Sequence, residues 1–219
     1  MTLRALLVWV EEPVPGETKR ELAPPLTSQE AADLYECLLQ DTVEVVRELA
    51  SQMPVTPFFA YHRQGAEPYF RELAPEFRLV RQRGQELGER LESVLTAVQA
   101  LGYDQVAAIR ADGPGIPSSY LSDTFTLLDD PQTDAVFGPS EDGGYYLIAW
   151  ERPFPRLLRE VQMATSHSLS DTLDLARLEK AGVKLLPSWY VVDSEADLER
   201  LREDANAGEN TRAFFSSQH

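Results

Sequence analysis

Cysteine, histidine and positive charge are all scarce in this chain, and each scarcity excludes something. The only cysteine is Cys37, so there is no internal disulfide and no zinc cluster of thiolates. Its neighbours Leu34, Leu38 and Leu39 suggest a buried helix face, so it reads as a core residue. The histidines His62, His167 and His219 show no metal-ligand spacing. No G-x-S-x-G elbow and no Ser-His-Asp order is present, which disfavours a hydrolase of that type. Twenty basic residues stand against 36 acidic ones, and 20 − 36 gives the net charge of −16. Such a field repels nucleic acid and anionic membrane surfaces. A small anionic ligand would need a local cation, and the surplus of carboxylates makes a divalent metal plausible. No apolar run approaches the roughly 20 residues that span a bilayer. The run Ala5–Val10 is too short for a signal-peptide core and stops at Glu11–Glu12. The expectation is a cytoplasmic protein with no nucleic-acid or membrane partner.

What is present is a regular alternation of strand-like and helix-like stretches. Leu3–Val10 is almost continuously apolar, as a buried parallel strand requires. After a Pro- and Gly-punctuated loop, Thr27 and Glu30 form a capping-box pattern. The helix that follows is predicted to reach about Gln52, with Ala31, Leu34, Tyr35, Leu38, Leu39, Val45, Val46 and Leu49 at helical spacing. Further strands are predicted at Val55–Tyr61, Phe77–Val80, Gln105–Ile109, Val183–Pro187 and Trp189–Val192. Helices are predicted at Glu67–Ala74, Glu89–Gly102, Ser118–Leu128, Phe154–Val161, Ser168–Ala181 and Ser194–Asp204. Val136–Trp150 reads as a strand, an acidic turn and a second strand. This order argues an α/β domain over residues 1–205 with a largely parallel sheet. Residues 206–219 read as a polar tail, with Phe214–Phe215 able to dock.

In such a sheet, ligands bind beyond the carboxyl ends of the strands. The loop after the first strand carries Gly16 and Lys19, where a glycine and a lysine could meet a phosphate. The second glycine and the Lys-Ser/Thr pair of a P-loop are missing, so a solvated loop lysine competes with that reading. Asp112 follows the Gln105–Ile109 strand and precedes Gly113-Pro114. It would present a carboxylate rigidly to a metal, or close an Asx turn on its own backbone. As a ligand-binding residue, it is expected to tolerate replacement by Asn with the melting temperature nearly unchanged. Asp193 lies between an apolar stretch and a helix, as a site carboxylate or as an N-cap that competes with Ser194. Asp142, followed by Gly143 and Gly144, sits either at an exposed hairpin tip or beside a ligand that the two glycines let approach. Converging aspartates of this kind could hold a divalent ion near a phosphate.

Taken together, these blocks resemble a known group. They are Pro13…Gly16-x-x-Lys19, Gln82-x-Gly84-x-x-Leu87-Gly-Glu-Arg90, Asp112-x-Pro114-x-x-Pro117, Gly138-Pro-x-x-Asp142-Gly-Gly-Tyr-Tyr and Val192-Asp193-x-x-x-Asp197-Leu198. The chain is similar over nearly its whole length to the glycosyltransferase-A-type proteins grouped as selenodomain-associated transferase 1. These are relatives of the phospholactate and molybdenum-cofactor guanylyltransferases. The resemblance implies a three-layer α/β/α sandwich with a mixed, mostly parallel sheet, the nucleotide-diphospho-sugar transferase fold. It implies a nucleotide-sugar or a nucleoside triphosphate, a separate acceptor, and Mg²⁺ or Mn²⁺. Asp112 and Asp193 would be metal ligands and Asp142 the catalytic carboxylate. Gly16, Lys19, Arg20, Gly88, Gly143 and Gly144 would bind nucleotide and phosphate.

The chain departs from the group's pattern at the phosphate loop, where Glu21 stands in place of an arginine and Arg20 lies one position early. It departs again at Arg110, which precedes Asp112, and at Gly113, where a hydroxyl residue is usual. Three readings follow: a metal-dependent glycosyl transferase, a nucleotidyltransferase on the same scaffold, and a non-catalytic nucleotide- or partner-binding protein. Glu21 should point away from the phosphates, or the triphosphate site is impaired.

Overall fold

The computed structural model describes residues 2–217, so the last two positions of the expected tail, Gln218 and His219, lie outside it. The strands are β1 (Arg4–Val10), β2 (Thr56–Tyr61), β3 (Arg78–Arg81), β4 (Gln105–Arg110), β5 (Ala135–Pro139), β6 (Tyr145–Trp150) and β7 (Val183–Leu185). They form one seven-stranded sheet in the order β3-β2-β1-β4-β6-β5-β7. The pairs β1/β2, β1/β4, β2/β3 and β5/β7 are parallel, and β6 runs antiparallel to both neighbours. The expected mixed, mostly parallel sheet is therefore present.

Side-chain alternation along the strands builds the layers. In β1, Leu6, Val8 and Val10 face one hydrophobic cluster, while Ala5 and Leu7 face the other. The first cluster is closed by α1 (Ser28–Gln52), α2 (Glu67–Leu73) and α4 (Ser118–Leu128), through Tyr35, Leu39, Phe70 and Phe125. The second is closed by α3 (Leu87–Gln99), α5 (Pro155–Arg159) and α6 (Ser168–Leu178), through Leu91, Leu95, Leu158 and Ala176. Helices thus cover both sheet faces, which lets β1 and β4 be apolar without interruption.

Thr27 caps α1, and both halves of its capping box with Glu30 are formed. Two expected elements differ. Trp189–Val192 adds no strand; only the bridge Ser140–Trp189 forms there. Trp189 and Tyr190 instead turn their rings towards helices, and Trp189 donates its Nε1–H to the Pro114 carbonyl at 2.8 Å. The expected polar tail is helical as α8 (Glu209–Ser216) and packs on α1. Its fixing point is Asp41 of α1. The Asp41 carboxylate accepts from the backbone N–H groups of Asn210 and Thr211, each at 2.9 Å, and from the Thr211 hydroxyl at 2.7 Å. This is an N-cap supplied by a residue distant in sequence, and it satisfies the free donors of the first turn. No helix among the described residues is long and apolar enough to cross a membrane.

Candidate functional site

Chain order reverses at β1. From β1 the chain builds β2 and β3 outward on one side, then returns to lay β4 on the other. The crevice beyond the carboxyl ends of β1 and β4 is therefore a topological switch point. A cavity of about 660 Å³ opens there, lined by the ends of both strands, the 17–21 segment, the start of β6 and the 163–168 loop.

At its floor lie two carboxylates and two cations. Lys19 Nζ donates to Asp112 Oδ2 at 2.6 Å, to Asp193 Oδ1 at 2.5 Å and to the Val192 carbonyl at 2.7 Å. Arg110 donates from Nε to Asp112 Oδ1 at 2.8 Å and from Nη2 to Asp112 Oδ2 at 2.7 Å. The same Nη2 reaches Asp193 Oδ2 at 2.6 Å. Every oxygen of both carboxylates thus faces a cation. Asp112 and Lys19 are nearly buried, with side chains 10% and 7% exposed.

Burial alone would raise the Asp112 carboxyl, but Arg110 and Lys19 outweigh it and hold the group well below the usual carboxylate range. Burial would lower Lys19 and Arg110, and the two aspartates outweigh it, so both stay charged. Lys19 also holds a left-handed backbone, φ 49° and ψ 43°. For a side-chain-bearing residue this costs on the order of 1 kcal/mol. The three short hydrogen bonds at Nζ hold it there.

The other expected site residues separate. Asp142 stands at the rim. Its Oδ1 accepts from the Ser140 hydroxyl and from the Gly144 N–H, the latter at 2.9 Å. Its Oδ2 lies 3.8 Å from Arg110 Nη1. One oxygen of Asp142 thus closes the turn, and the other faces Arg110. Arg20 and Gly144 line the cavity, but the Gly144 N–H is spent on Asp142.

Gly16, Gly88 and Gly143 do not line it. Gly16 is a turn residue at φ 78°. A Cβ on Gly88 would meet the Leu158 carbonyl oxygen at 1.9 Å, so that glycine serves the α3–α5 contact. Gly143, at φ 88°, lies against the 166 backbone, where a Cβ would meet the Ser166 oxygen at 2.1 Å. These glycines allow close packing and tight turning, and the sequence pattern alone does not distinguish that from a phosphate cradle.

Glu21 does not point away. Its Oε1 lies 3.7 Å from Lys19 Nζ. Ser194 takes the N-cap of α7 (Glu195–Glu203), which frees Asp193 for the site.

Two residues outside the expected set matter more than the glycines. Arg110 is the centre of the charge cluster, and the signal for it was its place two residues before Asp112 at a strand end. Arg90, on α3, lines the cavity with its guanidinium 5.7 Å from the Trp9 ring centroid. Its Nε is buried with no hydrogen-bond partner among the described residues, and it makes no ion pair among them.

The donor set can be tested against a divalent ion. No group of three or more His, Cys, Asp or Glu side chains among the described residues could hold one. Asp112 and Asp193 are the only expected ligands, and their charge is already balanced by Lys19 and Arg110. A divalent cation would add two positive charges beside two others. These residues do not fit a metal in the arrangement seen.

The fold is that of the nucleotide-diphospho-sugar transferases. In 24% of positions the chain is identical to a protein of Desulfovibrio desulfuricans G20 described provisionally as a nucleotide-diphospho-sugar transferase, with a TM-score of 0.85 over 99% of this chain and 98% of that one. The 4-diphosphocytidyl-2C-methyl-D-erythritol synthase of Anaerococcus prevotii DSM 20548 is 10% identical, with a TM-score of 0.57 over 91% of this chain and 94% of that one. The glucosyl-3-phosphoglycerate synthase of Mycobacterium tuberculosis, solved with Mg²⁺ and UDP, is 13% identical, with a TM-score of 0.52 over 87% of this chain and 70% of that one.

The chain itself belongs to the DUF2064 family, uncharacterized proteins conserved in bacteria, whose model matches residues 42–165. That segment holds Arg90, Arg110, Asp112 and Asp142, while Lys19 and Asp193 lie outside it. No curated protein matches the chain.

Proposed function

We propose that the chain is a transferase that takes a nucleoside-diphosphate-linked sugar as donor. The observation that carries this reading is the set of four cations that line one cavity, Lys19, Arg20, Arg90 and Arg110. A phosphate oxygen is the acceptor that arginine geometry suits best. The cavity is large enough for a nucleotide-sized ligand.

In this reading Arg90 and Arg20 hold the diphosphate, and the Trp9 ring beneath Arg90 keeps that guanidinium in place. The acceptor hydroxyl lies at Asp142. Its oxygen attacks the anomeric carbon, and the bond from that carbon to the phosphate oxygen breaks. The proton passes to Asp142 Oδ2, and the nucleoside diphosphate leaves against fixed cations, which is where electrostatic preorganisation acts. Lys19 and Arg110 orient the two aspartates and lower the charge of the floor.

Nucleotidyl transfer from a triphosphate is the second reading, and a diphosphocytidyl synthase stands among the structural neighbours. Glu21 beside Lys19 weighs against it, because a triphosphate brings more negative charge to that segment. The two readings differ in product, a free nucleoside diphosphate against free pyrophosphate.

The test is a thermal-shift screen of UDP-, GDP-, TDP- and CDP-sugars and the nucleoside triphosphates, each with Mg²⁺, with Mn²⁺ and with EDTA. A ligand bound only by the folded state raises the melting temperature. A shift for the sugars of one base is the expected result. No shift under any condition would overturn the proposal.

A further inference from the structure

We propose that Arg110 takes the place of a divalent metal in this cleft: it joins Asp112 to Asp193, and the diphosphate of a nucleotide binds without a metal ion.

The geometry supports this at three points. First, the guanidinium bridges the two carboxylates, with Nη2 2.7 Å from Asp112 Oδ2 and 2.6 Å from Asp193 Oδ2. The two carboxylates thus share one cation. Second, both carboxylates are already fully paired. Lys19 and Arg110 pair with every oxygen of Asp112 and Asp193, so neither carboxylate keeps an oxygen without a cation to offer a divalent ion. Third, the bridge leaves a donor over. Arg110 Nη1 makes no hydrogen bond among the described residues, and its nearest charged neighbour is Asp142 Oδ2 at 3.8 Å. A guanidinium carries five N–H donors in one plane. It can therefore grip carboxylates on one edge and a phosphate oxygen on the other, as a metal shares its coordination sphere.

Tethering explains why the cation stays. Arg110 ends β4 and is two residues from Asp112, so the fork closes within one turn of chain. An incoming ion would have to displace both hydrogen bonds to Asp112. It would also leave the freed guanidinium beside Lys19 in a half-buried place.

The choice of ligand rests on the transferase reading above, and the test does not. It uses Mn²⁺ alone, followed by electron paramagnetic resonance of the free ion, with wild-type protein, Arg110→Ala and Arg110→Gln. The wild type is expected to leave Mn²⁺ free at millimolar concentration. Removing the guanidinium exposes Asp112 and Asp193 as a carboxylate pair, so either variant is expected to bind one Mn²⁺ at least tenfold more tightly than wild type. Asp193→Asn in the same background is expected to remove that gain.

Stoichiometric Mn²⁺ binding by the wild type would overturn the proposal. So would a failure of both folded Arg110 variants to gain affinity, because the aspartates would then not be poised as ligands. If Arg110→Ala does not fold, Arg110→Gln, which keeps the length and a donor, decides the second arm. If neither folds, the wild-type titration decides alone. Nucleotide binding that appears only with a divalent ion would also overturn the proposal, whereas no nucleotide binding under any condition, with these Mn²⁺ results unchanged, would count against the donor reading only.

Discussion

Arg110 and Asp112, two residues apart at the end of β4, are joined by a two-pronged ion pair, Nε to Oδ1 at 2.8 Å and Nη2 to Oδ2 at 2.7 Å. The pair changes what each residue is for. Asp112 was expected to be a ligand carboxylate with little part in stability. It is instead a nearly buried anion on which two cations depend.

Asp112→Asn is therefore expected to destabilise the protein, contrary to the sequence-based expectation of an unchanged melting temperature. Removing one partner of a buried ion pair costs roughly 3–5 kcal/mol, and the remaining Asp193 contacts place this case near the lower end. Urea unfolding of wild type and variant measures it. A loss below about 0.5 kcal/mol, the usual range for surface changes, would show that the pair is not closed in solution.

The same pair sets a pH dependence. The folded-state pKa of Asp112 is depressed, through Arg110 and Lys19, below its unfolded value. A depressed carboxylate contributes stability above its unfolded pKa, near 3.9, and that contribution fades as the pH falls further. Asp129 is shifted the same way, its burial outweighed by Gln105 and Arg4. The melting temperature should hold level from neutral pH to about 5 and fall steeply below about 4. Scanning calorimetry across that window checks the sign.

Arg90→Ala should separate binding from stability. Its Nε has no partner to lose, and the contact with Trp9 is worth only about 0.5–1 kcal/mol at a partly exposed site. Donor affinity should fall at least tenfold, about 1.4 kcal/mol, with a folded protein. Equal affinity in the two proteins would place the phosphates elsewhere.

Glu21→Arg should raise triphosphate affinity. The Glu21 carboxylate lies 3.7 Å from Lys19 Nζ, within the segment that lines the cavity. A charge reversal about 5 Å from a phosphate alters the Coulomb term by several kcal/mol at an effective dielectric near 20. Glu21 is half exposed, so solvent and salt reduce this, and a gain of about tenfold is expected by calorimetry with ATP and GTP. An unchanged affinity would remove the 17–21 segment from the phosphate site.

Asp41→Ala should release α8. One carboxylate there satisfies two backbone donors, a hydroxyl and the Asn210 side chain. Losing a cap and leaving those donors bare costs roughly 2–3 kcal/mol. Limited proteolysis should cut between Asp204 and Gly208 in the variant and spare the wild type.

Much of the sheet was legible because its signal is local. The apolar runs of β1 and β4 and the capping box at Thr27 each state their element within a few residues. The 189–192 stretch misled because its apolar side chains are buried by helices and a turn rather than by strand pairing. The tail misled because α8 is held by Asp41, 169 positions away in the case of Asn210, and no local pattern records that. At the site, the convergence of Lys19, Asp112 and Asp193 followed from topology. Pairing did not, since which cation meets which carboxylate depends on rotamers and depth. Glycine patterns are ambiguous because the freedom that admits a phosphate also admits a neighbouring helix, as at Gly88.

The most direct test of the account is calorimetric titration of UDP-, GDP-, TDP- and CDP-glucose into the wild-type protein with all divalent metal removed by EDTA. The account predicts that one of them binds with a dissociation constant in the micromolar range, and that adding excess Mg²⁺ changes it less than twofold. Binding that appears only with Mg²⁺, or none tighter than millimolar in either condition, would contradict it.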